Sequence, residues 1–165
     1  MPTATYEKIA TYTAPSSVTN ITFSSIPSTY TDLVLIGRTS LNVGGLGTNY
    51  LATYNGDSGT NYSYTYLEGN GSTAGSGRSS NATFMDVMYQ PSSGAIGTLI
   101  MQVFNYSNTT TYKTMLSKAA TAASGFLAYA GLWRSTAAIN SINLYGGTNN
   151  IIAGSTFTLY GIKAA

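Results

Sequence analysis

The feature that most narrows the fold is a rhythm of short apolar runs. About every ten residues, a stretch of roughly five to nine aliphatic, β-branched or aromatic residues gives way to Gly, Ser, Asn or Pro. The runs fall at 6–12, 18–23, 32–39, 49–54, 61–67, 82–89, 98–106, 112–119, 126–133, 139–145 and 156–162. Each has strand length and is too short for a stable helix. In 61–67 the residues Tyr62, Tyr64 and Tyr66 alternate, which places all three on one face of a strand. Leu33-Val34-Leu35-Ile36 is apolar at consecutive positions, as in a strand covered on both faces or one near a bulge.

The punctuation agrees with the strands. Asn55-Gly56-Asp57-Ser58-Gly59 is a hairpin signal, because Asn and Gly tolerate positive φ. The stretch 69–80, with Gly at 69, 71, 75 and 77 and no apolar anchor, reads as an exposed loop. At 113–123 the Ala content admits at most a short helical turn, since no amphipathic stripe runs through it. The expectation is one all-β domain over residues 1–165, an antiparallel β-sandwich with jelly-roll topology.

Composition then removes whole classes of chemistry. The chain contains neither Cys nor His. Disulfides, thiolate metal sites, a Cys nucleophile and the usual general base are excluded together. Five carboxylates remain, Glu7, Asp32, Asp57, Glu68 and Asp86, and no two form a local pair of the kind a glycosidase uses. Ser117-Lys118 is sequence adjacency on opposite strand faces, not a dyad. Asn55, Asp57 and Asn61 offer oxygens to a cation, yet the turn accounts for them without a metal. The glycines of 69–77 lack the following helix and Lys of a phosphate loop. No enzyme activity, cofactor or metal is expected.

Only 7% of residues are charged and 14 are Tyr, so the surface relies on hydroxyls and amides for its hydration. Such a surface has little charge to desolvate when it meets another protein. The net charge of +2 comes from Lys8, Arg38, Arg78, Lys113, Lys118, Arg134 and Lys163, which form no basic run; nucleic acid is not the expected partner. Residues 1–8 lack the features of a signal peptide, and no apolar run approaches the ~18–20 residues that cross a bilayer. A soluble protein made in the cytoplasm, with no membrane partner, is the expectation.

The ligand feature that stands out is the tyrosine stripe. Tyr62, Tyr64 and Tyr66 would offer flat faces to a pyranose ring, and Asn61 and Asn70 amides to its hydroxyls. The plainer reading is that a half-covered strand uses Tyr for its β-propensity and wet tip. Trp133, inside an apolar run, is expected in the core.

Several stretches resemble a family of small phage virion proteins, frequent in cyanophages. They are Tyr6-Glu7-Lys8-Ile9-Ala10, Ile21 to Pro27 with Tyr30 to Leu35, Tyr54 to Tyr64, Gly131 to Ile139 and Ala153 to Ile162. The resemblance implies a virion structural protein and carries over no catalytic residue. Of two places on a particle, one compact domain with no coiled coil, repeat or dedicated attachment domain favours a capsid cement or decoration protein that binds across neighbouring shell subunits. The major capsid protein would then be its partner, and a homodimer or homotrimer its assembly. The alternative is a tail- or fibre-associated receptor-binding protein whose sandwich, like a carbohydrate-binding module, holds a surface glycan.

Overall fold

The computed structural model describes residues 5–42, 48–90, 95–121 and 125–163. Its strands are β1 (Tyr6–Thr13), β2 (Asn20–Phe23), β3 (Asp32–Thr39), β4 (Thr48–Tyr54), β5 (Tyr62–Gly69), β6 (Ala74–Ala82), β7 (Met85–Gln90), β8 (Gly97–Phe104), β9 (Lys113–Thr121), β10 (Gly125–Trp133), β11 (Ile142–Tyr145) and β12 (Thr156–Ile162). Eight form one sheet in the order β1-β12-β3-β8-β9-β10-β5-β6, and four form another, β2-β11-β4-β7. Every pairing is antiparallel. The pairs β5/β6, β4/β7, β3/β8, β2/β11 and β1/β12 are nested and alternate between the sheets. That is a jelly roll, with β9 and β10 inserted between β8 and β5.

Period-two burial shows why these sequences are strands. Along β9 the inward positions are Lys113, Met115, Ser117, Ala119 and Thr121, while Thr114, Leu116, Lys118 and Ala120 face outward. The helical turn considered for 113–123 therefore does not form over 113–121, because helical periodicity would scatter those inward side chains around the axis. Residues 122 and 123 lie outside the described residues. In β3, Leu33, Val34 and Leu35 are buried but Ile36 is 43% exposed, so the run is covered on both faces only over its first half. The reading of 69–80 as a loop is corrected most sharply. Residues 74–82 form strand β6, paired to β5 with Tyr64 opposite Ser79, Tyr66 opposite Gly77 and Glu68 opposite Gly75. Its glycines sit where large neighbours need room, and that contact, not local propensity, decides the structure.

The core lies between the sheets. Tyr54, Tyr62 and Trp133 form an aromatic cluster, with Trp133 5.6 Å from Tyr54 edge-on and 6.4 Å from Tyr62 stacked. Trp133 is 2% exposed, and its Nε1–H donates to Asp57 Oδ2 at 2.7 Å. The same carboxylate accepts from Asn61 Nδ2 and the Gly59 N–H. Burial pushes the Asp57 carboxyl up, but these three donors outweigh it and hold its pKa below the usual range. Asn55, at φ 53°, donates to the Ala138 carbonyl and accepts from the Asn140 and Ser141 N–H groups. Asn55, Asp57 and Asn61 are thus engaged in the turn's own structural bonds.

The unequal widths of the two sheets leave one region open. The four-stranded sheet ends at β7, which packs over β9 and β10. The larger sheet continues past it through β5 to β6. Part of its inward face is left without a covering layer.

Candidate functional site

Beyond the edge of β7, the uncovered inner face makes a polar, aromatic ledge. Four same-face rows follow from register: Trp133–Tyr62–Ala82, Gly131–Tyr64–Ser79, Tyr129–Tyr66–Gly77 and Leu127–Glu68–Gly75. The first row is core, and the ledge begins at the second. Here β6 contributes only Ser and Gly, so the side chains of β5 lie across it. A Cβ on Gly77 would come within 2.7 Å of the Tyr66 ring, and one on Gly75 within 2.7 Å of Glu68 Oε1. Tyr66 and Tyr129 meet at 5.6 Å between centroids, tilted by 40°. The resulting cleft, about 480 Å3, is lined by Tyr64, Tyr66, Glu68, Leu127 and Tyr129 from the ledge, Asn49, Asp86 and Tyr89 from the smaller sheet, and Arg78.

Asp86 is the unusual member. The β4–β7 register skips between Tyr50, opposite Met88, and Leu51, opposite Asp86, which leaves Val87 as a bulge. Bulges re-aim side chains at sheet edges, and Asp86 lies beside this one on the edge strand. It is 5% exposed. Asn49 Nδ2 donates to its Oδ2 at 2.6 Å, while Oδ1 has no hydrogen-bond partner. The Tyr64 phenol is near enough to the carboxylate to pull its pKa down, yet Oδ1 itself accepts no hydrogen bond. Burial raises the Asp86 pKa, and the pull of Tyr64 and Asn49 does not cancel it. Leaving a buried carboxylate oxygen unsatisfied costs about 1–3 kcal/mol or more. Nearby groups carry the complementary mark: burial and the Asp86 charge push the Tyr64 phenol up to about 12, and burial with the Asp86 and Glu68 charges raises Tyr129.

Two carboxylates, isolated in sequence, therefore share one cleft. Only tertiary structure joins them, since Glu68 and Asp86 sit on strands of different sheets. The arrangement supplies hydrogen-bond acceptors, ring faces and, at the margin, one guanidinium.

The residues singled out in the sequence divide accordingly. Tyr64 and Tyr66 line the cleft. Tyr62 does not; it is fully buried, its hydroxyl donating to the Asp57 carbonyl at 3.0 Å and accepting from the Tyr54 N–H at 3.1 Å. The stripe shares one face, as alternation requires, but the smaller sheet covers its first member. Asn61 is bonded to Asp57, and Asn70 caps its own turn by accepting from the Ser72 and Thr73 N–H groups. Neither amide reaches the ledge. Tyr129, Asp86, Glu68 and Tyr89 were missed because nothing local links them to the stripe.

Two other surfaces matter. The outer face of the smaller sheet carries an open groove of about 670 Å3 lined by Thr19, Asn20, Thr22, Thr53, Asn143 and Tyr145 among others. Its groups partly satisfy one another, as where Thr22 Oγ1 donates to Asn143 Oδ1 at 2.9 Å. The outer face of the larger sheet is broad and mostly apolar, with Lys118 among its central side chains. Ile36 lies opposite Ile100, Ile100 opposite Lys118, Lys118 opposite Ala128 and Ala128 opposite Leu67. In neighbouring rows Leu116 faces Gln102 and Ala130, and Phe126 faces Ala120. Ile36, Ile100, Leu116, Phe126 and Leu67 are 43–64% exposed. Lys8, Arg38 and Lys118 alternate onto this face, as does Arg78 on the edge strand, whose side chain also borders the cleft, against Asp32 alone among the acids.

No family model matches the chain, and no curated protein matches it. Among solved structures it is similar to an alginate lyase mutant in complex with alginate tetrasaccharide, with a TM-score of 0.37, 8% identity, and coverage of 94% of this chain and 80% of that one. It is also similar to Scytalido-glutamic peptidase with a peptide-based transition-state analogue, with a TM-score of 0.31, 11% identity, and coverage of 87% and 66%. Both neighbours are enzymes. Likenesses this distant say nothing of the chemistry here.

Proposed function

We propose that this protein is a non-catalytic structural component of a bacteriophage particle, a capsid cement protein seated across neighbouring shell subunits by the outer face of its eight-stranded sheet. The observation that carries the reading is the cluster of half-exposed Ile36, Ile100, Leu116, Phe126 and Leu67 on one rigid face. Contiguous apolar surface of this kind marks an interaction site. Burying it against a neighbour desolvates few charges, which suits permanent attachment. The cations of this face, Lys118 among the apolar side chains and Lys8 and Arg38 beyond them, favour a partner with acidic groups over a second copy of the same face. The resemblance of the sequence to phage virion proteins supplies the setting.

The test is location together with one double variant. Labelled protein should decorate heads in electron micrographs of particles. Ile100→Glu/Leu116→Glu should fold normally and fail to attach. Label confined to the tail would overturn the cement reading in favour of receptor binding, a reading supported by the ledge of tyrosines. Attachment unaffected by the double variant would show that the outer face is not the docking surface.

A further inference from the structure

We infer that the ledge between β7 and β5–β6 is a binding site for an uncharged glycan, whose pyranose face lies on the tyrosine rings while adjacent hydroxyls donate to Asp86 and Glu68. This goes beyond the docking face and does not depend on it, because the two surfaces lie on opposite sides of the larger sheet.

Three independent observations converge on the same cavity. The first is shape. A cleft of about 480 Å3 falls in the size range of small-ligand sites, and it exists because the smaller sheet stops at β7 while the larger one does not. The second is surface chemistry. Tyr64 and Tyr66 line the opening, with the buried Tyr129 packed against Tyr66 behind them, and Gly77 lets the Tyr66 ring lie down across β6. The C–H face of a pyranose matches such a floor. The third is an acceptor without a donor. Asp86 is only 5% exposed, its Oδ1 is unpaired, and it lines this cavity. Asn49 holds the other oxygen and so fixes the carboxylate's orientation before any ligand arrives. A hydroxyl donor completes the bonding that the protein leaves open.

The charge of the site selects among sugars. Two carboxylates against Arg78 disfavour a uronate or other acidic sugar. A metal ion is a poor occupant, since no cluster of three or more His, Cys, Asp or Glu side chains exists among the described residues. A cationic amine could pair with the acids, so a free amino sugar is the competitor to be measured.

The experiment uses the purified full chain on a glycan array holding neutral, amino and uronic saccharides, with isothermal titration of the best neutral oligosaccharide. Binding confined to neutral glycans is expected. Asp86→Asn, which keeps size and the bond to Asn49, should weaken it about 10- to 100-fold, the loss of one hydrogen bond to a charged acceptor. Tyr66→Ala should weaken it comparably through the lost ring face. The decisive companion readout is thermal stability. A merely structural Asp86 would make Asp86→Asn melt lower, whereas an acceptor held open for a ligand makes the variant melt at the same temperature or higher. No binding to any neutral glycan, preference for free amino or uronic sugars, or full affinity in Asp86→Asn would each overturn the proposal. Release of a shortened sugar would overturn the binding-only role. Failure here would leave attachment through the outer face untouched, and failure of attachment would leave this site untouched.

Discussion

Replacing Asp57 by Ala tests whether one turn carboxylate ties the hairpin to the core. The side chain accepts from Trp133 Nε1 at 2.7 Å, from Asn61 Nδ2 at 2.9 Å and from the Gly59 N–H at 2.8 Å. Truncation strands the indole N–H of a residue only 2% exposed, which costs about 1–3 kcal/mol. Asn61 and Gly59 are nearer solvent, where water replaces the lost acceptor, so their share is about 1 kcal/mol together. The sum is about 2–4 kcal/mol, and a domain of this length loses about 2–4 °C of melting temperature per kcal/mol, so Tm should fall by about 4–16 °C. Asp57→Asn retains one acceptor for the indole and should fall about half as far. Differential scanning calorimetry reads both, with near-ultraviolet circular dichroism reporting the Trp133 environment. A Tm for Asp57→Ala within about 1 °C of the parent would refute the claim that this contact network holds the turn.

Acid titration should separate the two perturbed acids. The Asp57 pKa is lowered in the fold, so its stabilisation is present above about 3.8 and disappears as pH falls through the folded value. The Asp86 pKa is raised, so its contribution is full below about 3.8 and is lost as pH rises through its folded value. Urea midpoints measured from pH 3 to 7 should therefore show Asp86→Asn gaining relative to the parent towards neutrality; parallel curves would refute the assignment. Gly131→Ala should cost about 1–3 kcal/mol, because its Cβ would overlap Met85 Sδ and stand 3.0 Å from Met115 Cε in a closed core; an unchanged urea midpoint would contradict that packing. Leu116→Lys, on the open outer face, should change stability by no more than about 0.5 kcal/mol by chemical denaturation; a larger loss would show that the face is already covered.

The fold was legible wherever burial follows local alternation. The β9 sequence alternates cleanly, and so does its burial. Asn55-Gly56 marks a turn because the two residues adopt φ of 53° and 68°. Legibility failed at β6, whose sequence, Ala-Gly-Ser-Gly-Arg-Ser-Ser-Asn-Ala, has no strand propensity. That strand is recruited by its neighbour, with Tyr66 and Glu68 lying over Gly77 and Gly75. The tyrosine stripe was legible only as a shared face. Alternation puts Tyr62, Tyr64 and Tyr66 on one face, but only the second sheet's extent decides that Tyr62 is core while the other two line a cleft. The carboxylate pair was invisible because Glu68 and Asp86 meet through tertiary packing across two sheets.

The sequence's low charge acquires meaning once the acids are located. Of the five carboxylates, Glu7 is paired with Lys163 at 2.6 Å, Asp57 is occupied by the turn, and Asp32 accepts from Gln102 and the Asn105 N–H. Glu68 and Asp86 are left in the cleft. A chain that uses charge so sparingly could have placed an apolar residue at 86, where burial and an unpaired oxygen both oppose folding. Hydrophobic substitutes for buried polar groups are often neutral or stabilising, so folding alone gives no reason for a carboxyl at that position. The bulge beside Val87 and the bond from Asn49 hold the group in the wall of the cleft with Oδ1 unpaired, where a structural acid would instead be turned to a donor. The same reasoning explains the glycines of β6: strand stability is sacrificed to keep Tyr66 and Glu68 spread along an edge. Such local costs cluster where a surface must stay ready for something outside the chain.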